Sequence, residues 1–184
     1  MGRVCPERRS MKQYDRVYRM VLSAMFLALA LFLPFLTGQI QQIGKMLTPM
    51  HFPVLLCGFF CGWQWGLLVG LVAPLLRSFL FGMPVFFPMA VCMSVELGCY
   101  GFLSGFLYRR LPKRKWSIYL SLVIAMIVGR LAWGGAQWFC VRFHTKGFGL
   151  SAFLSGAFVT AVPGIVLQLL LIPLLVILLD KQKR

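Results

Sequence analysis

Three charged side chains stand inside long apolar runs of this 184-residue chain: Arg77, Glu96 and Arg130. A charge at the centre of a bilayer costs at least ~2.5–3.5 kcal/mol, so such a residue usually faces a cavity or a partner. At ~1.5 Å of rise per residue, Glu96 lies about 14 Å and Arg130 about 17 Å from the outer ends of their runs. These matching depths allow a structural ion pair, a site for a polar solute, or both.

Two polar helix faces surround these charges. Arg130, Trp133 and Gln137 recur at helical spacing, which places a cation, an indole and an amide on one face. Glu96 and Tyr100 share a face in the preceding run. An aromatic stripe alone is more often core, but the neighbouring Arg and Gln favour a ligand wall. The predicted substrate-binding set is Glu96, Tyr100, Arg130, Trp133, Gln137 and Gln168.

Two further polar residues stand near the ends of apolar runs. His51 begins the second run, and Arg77 lies near the outer end of the third. A His at such a position is more often a hydrogen-bonded interfacial residue, and an Arg near a helix end can snorkel to the surface. Both residues are also placed to guard an outer opening, so we predict them at the entrance of a site.

The composition excludes an ordinary soluble domain. Hydrophobic types make up 60% of the residues and charged types 12%, against about 45–50% and about 25% in soluble domains. The net charge of +15 would suit nucleic acid on a soluble protein. Here the basic residues form short blocks between apolar runs long enough to cross a bilayer. We therefore expect this protein to be embedded in a lipid bilayer and not to bind nucleic acid.

The positions of the basic residues decide the number of spans. The run over 50–81 is too long for one span, and Gly62–Gly66 reads as a turn within it. Two short spans put most Lys and Arg on the cytoplasmic side, where such residues collect. We predict an all-α bundle of six transmembrane helices with both termini cytoplasmic. The predicted parts are a basic segment over 1–16, a membrane domain over 17–180 with spans at 17–36, 50–62, 65–81, 87–108, 118–141 and 153–179, and a tail over 181–184.

Catalytic machinery is sparse in this sequence. It contains no Gly-rich phosphate loop and no Ser/His/Asp, H-x-x-x-H or C-x-x-C arrangement. Five of the six cysteines lie in apolar runs, where Cys acts as a small hydrophobe. We predict no catalytic residues, no metal site and no enzyme. Because the chain has no nucleotide site, any uphill transport must take its energy from a partner.

Several segments resemble one family of membrane proteins. They are the Ala24-xxx-Ala28 pattern in the first span, the stretch from Met46 to Leu55, Gly66-Leu67-Leu68-Val69-Gly70, and Gly82-Met83-Pro84. Together with the length and the six spans, they resemble the substrate-binding (S) components of energy-coupling factor (ECF) transporters, which import vitamins into prokaryotes. The resemblance covers nearly the whole chain.

The resemblance implies a mechanism and partners. Such a component captures one vitamin or related small molecule at an outward-facing site, docks on a transmembrane coupling subunit with two ATPases, and topples to release its cargo. Here it implies a gate over 39–48 that includes Gln41, and a docking face that includes Ala24 and Ala28. ATP hydrolysis is expected in the partners, with no cofactor on this chain, in a prokaryotic plasma membrane. The cargo stays open among pantothenate, a pyridoxine-type vitamin and a purine-like compound.

Two other functions fit the residues. A structural or assembly subunit would use Glu96 and Arg130 as a buried pair and bind no small molecule. A small membrane enzyme would use Glu96 as an acid or base, but it would need a second polar group beside it. A purified protein that binds a small molecule without converting it would support the transport component over both alternatives.

Overall fold

The computed structural model describes residues 6–36, 49–112, 115–144 and 162–182. Within these residues the protein is all-helical, as predicted. The helices are α1 (Pro6–Leu36), α2 (His51–Cys61), α3 (Trp63–Phe81), α4 (Val91–Arg110), α5 (Lys115–His144) and α6 (Val162–Gln182). A kinked turn over Phe86–Ala90, in which Phe87 has an extended backbone, precedes α4.

Four segments of this helical part are long and apolar enough to cross a membrane. They are Gln13–Phe35, Trp63–Phe81, Phe86–Arg110 and Trp116–Cys140. Two shorter apolar helices, His51–Cys61 and Gly164–Leu178, accompany them. The predicted all-α membrane class is therefore confirmed. By length and composition, four of the six predicted spans correspond to helices that could cross a membrane.

Helix bounds differ from the predicted spans mainly at their ends. α1 begins at Pro6, within the basic segment that we separated from the first span. α5 extends from Lys115 to His144, beyond the predicted 118–141. The helix α6 begins at Val162, and the residues 153–161 of the predicted last span lie outside the described part of the chain.

The chain reverses direction at Gly62, between α2 and α3. Gly58 and Gly66, four residues on either side, lie against each other: a Cβ added to Gly66 would stand 2.8 Å from the Gly58 Cα. Gly62 itself has φ +99°, a conformation that glycine adopts without the steric cost other residues meet. The turn that we predicted over 62–66 therefore consists of a single residue, Gly62.

The helix α4 packs against α2, α3 and α5 in the centre of the bundle. Its backbone approaches α3 closely, because a Cβ on Gly66 would lie 2.5 Å from the Gly101 carbonyl oxygen and one on Gly70 would meet Leu97. The order of these contacts makes α3 and α4 antiparallel. Small residues allow such close approach between helices, so Gly66, Gly70 and Gly101 bring α3 and α4 together.

Large apolar side chains cover the outer surface of the described helices. Phe32 is 71% exposed, Phe79 83% and Leu170 67%. A patch of this extent would be unfavourable in water. An apolar exterior around buried polar side chains is typical of a helix bundle embedded in a membrane.

Candidate functional site

Glu96 is the buried acid at the centre of the site. It lies on the second turn of α4 and is 2% exposed. Its Oε1 atom accepts a hydrogen bond of 2.9 Å from the Tyr100 hydroxyl. The same atom lies 3.4 Å from Arg130 Nε and 3.6 Å from His51 Nε2. We call these four residues, contributed by α2, α4 and α5, the Glu96 cluster.

Helical periodicity explains half of this cluster. Glu96 and Tyr100 are four residues apart, so both side chains project from one face of α4. Tyr100 is fully buried, and its ring packs against the backbone of α5, where a Cβ on Gly129 would overlap it. The absence of a side chain at Gly129 therefore lets α5 come close enough for the next residue, Arg130, to reach Glu96.

His51 joins the cluster from α2. We expected it at the entrance of a site, as an interfacial residue or a guard. It does begin α2, but it is 2% exposed, and its ring centroid lies 5.1 Å from that of Tyr100. The close packing of α2 on α4 at Gly58 and Gly101 holds His51 beside Glu96. The sequence shows the His at a helix start, but its partner becomes visible only when the helices pack.

Other members of the predicted wall follow Arg130 along α5. Trp133 and Gln137 are both partly buried on the predicted face. Gln168 of α6, another member of the predicted set, is 2% exposed and lies inside the bundle. The structure brings Glu96, Tyr100 and Arg130 into direct contact and leaves Trp133 and Gln137 along the same helix face.

Four buried polar atoms at or near the cluster lack a hydrogen bond. They are both ring nitrogens of His51, Arg130 Nε and the Gln137 side-chain oxygen, none of which has a hydrogen-bond partner among the described residues. Native proteins pair the large majority of their buried polar atoms. Arg130 Nε and His51 Nε2 face Glu96 Oε1 at ion-pair distance without a hydrogen bond, whereas His51 Nδ1 and the Gln137 oxygen lack a hydrogen-bond partner among the described residues.

Arg77 has different neighbours. Its Nη1 donates a hydrogen bond of 3.3 Å to the Leu31 carbonyl oxygen, and its guanidinium lies 5.6 Å from the Phe35 ring centroid. Arg77 is 8% exposed, so it does not snorkel to the surface. It connects α3 to the end of α1, and these contacts do not include the Glu96 cluster.

The remaining predicted residues belong to α1 and to the segment after it. Ala24 and Ala28 are exposed on α1, on the same side as Val21 and Phe32. Gln41 lies outside the described residues. Within the described part of the chain, no three His, Cys, Asp or Glu residues are grouped as a metal site would need.

Comparison with known proteins identifies the family. The model of the family "ECF transporter, substrate-specific component" matches residues 18–176. No curated protein and no solved structure matches the chain. The family is one of transporter components rather than enzymes, and its match extends over all the helices that form the Glu96 cluster. The chain therefore belongs to the substrate-specific components of ECF transporters.

Proposed function

We propose that this protein binds a vitamin or related small molecule with high affinity and serves its uptake by an ATP-driven ECF transporter. The Glu96 cluster would bind the cargo, together with Trp133, Gln137 and Gln168. The observation that carries this assignment is the set of unpaired polar atoms of His51, Arg130 and Gln137 in the interior of the bundle. In a substrate-specific component, these atoms are the natural partners of a polar cargo.

The burial of the cluster favours tight binding. A cargo that pairs a buried polar atom removes the cost of leaving that atom unsatisfied, which is about 1–3 kcal/mol per group. Several such atoms add specificity, because an analogue that lacks one partner leaves the protein group unpaired again. A few convergent polar groups within an apolar surround are typical of small-molecule sites.

The same proposal includes six membrane spans with both termini cytoplasmic. At the α2–α3 turn, Arg19 Nη1 donates a hydrogen bond of 3.3 Å to the Cys61 carbonyl oxygen, and a Cβ on Gly62 would lie 2.8 Å from the Arg109 guanidinium carbon. The middle of α1, at Arg19, and the end of α4, at Arg109, therefore meet at this turn, at one end of the bundle. Both carry basic residues, which favours the cytoplasmic side of a prokaryotic plasma membrane.

The short helix α2 is also part of this topology. At ~1.5 Å per residue, the 11 residues of α2 cover about half of a hydrocarbon layer of about 30 Å. Such a helix can lie within the layer, because α1, α3 and α4 pack around it. The exposed face of α1 with Ala24 and Ala28 would then dock on the transmembrane coupling subunit, whose two ATPases supply the energy. Gln41 and Arg77 would belong to the outer entrance.

The experiment is to identify what the protein carries. We would purify it from cells grown in rich medium, unfold it and analyse the released small molecules by mass spectrometry. One enriched vitamin-like compound is expected, absent from Arg130→Gln and present in Ser121→Ala. Ser121 is a matched control because it is fully buried on the same helix and its hydroxyl donates to the Ser117 and Ile118 carbonyl oxygens of that helix.

The result that contradicts the proposal is equally specific. A folded protein that carries no compound and does not co-purify with a coexpressed coupling subunit and its ATPases would be a structural membrane subunit. Conversion of a bound compound by the purified protein would instead indicate an enzyme.

A further inference from the structure

We propose that the cargo group held at the Glu96 cluster has no net charge and presents both hydrogen-bond donors and acceptors. A ring amide or a hydroxylated pyridine or pyrimidine has this chemistry. The inference rests on the proposed function and names the class of cargo that the site would select. It depends on two features of the cluster, its charge balance and its unpaired atoms.

The charges of the cluster cancel within the bundle. Glu96 supplies one negative and Arg130 one positive charge, 3.4 Å apart at the nearest pair of atoms, so the two permanent charges cancel. Glu96 Oε1 already accepts a hydrogen bond from the Tyr100 hydroxyl and faces His51 Nε2 and Arg130 Nε. This oxygen therefore has little to offer a cationic cargo.

An anionic cargo meets the opposite difficulty. Arg130 is already opposite Glu96, so a second carboxylate would share one permanent cation with the first. His51, Glu96 and Tyr100 are each at most 2% exposed and Arg130 is 8% exposed, so water does not screen the extra charge. Burial of a charge without its own counter-ion is strongly unfavourable. A neutral cargo avoids this cost.

The unpaired atoms define the hydrogen bonds that the cargo must supply. Arg130 Nε is a donor, the Gln137 oxygen is an acceptor, and the two ring nitrogens of His51 each need a hydrogen-bond partner. All of these atoms are buried and unpaired within the described part of the chain. A matching cargo must offer an acceptor to Arg130, a donor to Gln137 and hydrogen-bonding groups to His51.

The spacing along α5 limits the size of this cargo. Arg130 and Gln137 are separated by two helical turns, or about 10 Å at ~1.5 Å per residue. The partly buried Trp133 lies between them on the same face, where an indole can stack on a flat ring. A small molecule with polar groups at both ends, cyclic or extended, spans this distance.

The test offers the protein matched pairs that differ in charge. The purified protein in lipid nanodiscs is incubated with an equimolar mixture of nicotinamide and nicotinate, panthenol and pantothenate, uracil and orotate, and pyridoxine and 4-pyridoxate, with thiamin as a cation. After washing, the retained compounds are released by unfolding and quantified by mass spectrometry. We expect a neutral member to be retained at least tenfold over its acid and over thiamin.

A charge variant tests the reason for the preference. Glu96→Gln leaves Arg130 without its counter-ion and gives the cluster a net positive charge. The ratio of neutral compound to acid is expected to fall at least tenfold in this variant, whereas Ser121→Ala keeps the wild-type ratio. A merely structural role of Glu96 would lower all retention without changing this ratio.

Three results would overturn the inference. They are preferential retention of an acid or of thiamin by the wild-type protein, equal retention within the retained pair, and retention of no compound by a protein that still co-purifies with the coupling subunit and its ATPases. The first two leave the proposed transport function intact. The third removes the neutral-cargo site but not membership of the transporter, whereas loss of co-purification as well would remove both.

Discussion

Replacement of Arg130 by Gln is expected to lower the stability of the protein by about 3 kcal/mol. Two unit charges 3.4 Å apart attract each other by about 5 kcal/mol at an effective dielectric constant of about 20. Loss of one member of a buried pair typically costs about 3–5 kcal/mol, because the remaining charge stays buried. Since Gln can still donate to Glu96, the lower end of this range applies.

Buried cysteines provide the assay for this loss. Cys57, Cys61 and Cys92 are at most 1% exposed, so a thiol-reactive fluorophore labels them only when the bundle unfolds. On heating in detergent, a loss of 3 kcal/mol corresponds to a Tm lower by about 6–12 °C in a chain of this length. The control Ser121→Ala is expected to stay within about 3 °C of the wild type.

The double variant separates charge from packing. Glu96→Gln combined with Arg130→Gln removes both charges and leaves two amides of similar volume, so no ion stays buried alone. Its Tm is expected to lie closer to the wild type than that of either single variant. If Arg130→Gln unfolds at the control temperature, or if the two single losses simply add, the cluster is not a coupled buried pair and our account of it is wrong.

Three other variants test separate parts of the structure. Ala24→Leu adds bulk to the exposed face of α1 and should abolish uptake while cargo binding is retained. The control Gly135→Leu, on the exposed side of α5, should leave uptake unchanged. Loss of binding in a folded Ala24→Leu protein would contradict the docking assignment. Gly101→Ala places a Cβ against the backbone of α3 and should lower stability by about 1–3 kcal/mol, while Gly135→Ala, which meets nothing within 4 Å, should not; equal Tm values would refute the close packing. Tyr100→Phe removes the 2.9 Å hydrogen bond to Glu96 and should cost about 1.5–3 kcal/mol in the same thiol assay, and an unchanged Tm would show that this bond contributes nothing.

Local pattern was sufficient for part of the site. Charged residues are rare in apolar runs, which pointed to Glu96 and Arg130. Helical spacing then placed Tyr100 on the face of Glu96 and Gln137 on the face of Arg130. These inferences need only the cost of burial and the 3.6-residue period. They cannot assign His51, because its contact with Glu96 joins residues 45 positions apart on helices that meet through glycine backbones.

The sequence by itself determined that this chain is a helical membrane protein with a few polar side chains held in an apolar interior. Hydropathy and run length decide this, because an unpaired backbone group in lipid is too costly for anything but a helix or a closed barrel. Only the tertiary structure decided which polar groups meet. Arg77 and Arg130 look alike in sequence, yet Arg77 binds the end of α1 whereas Arg130 faces Glu96. The difference follows from how closely the small residues let neighbouring helices approach, which no single helix specifies.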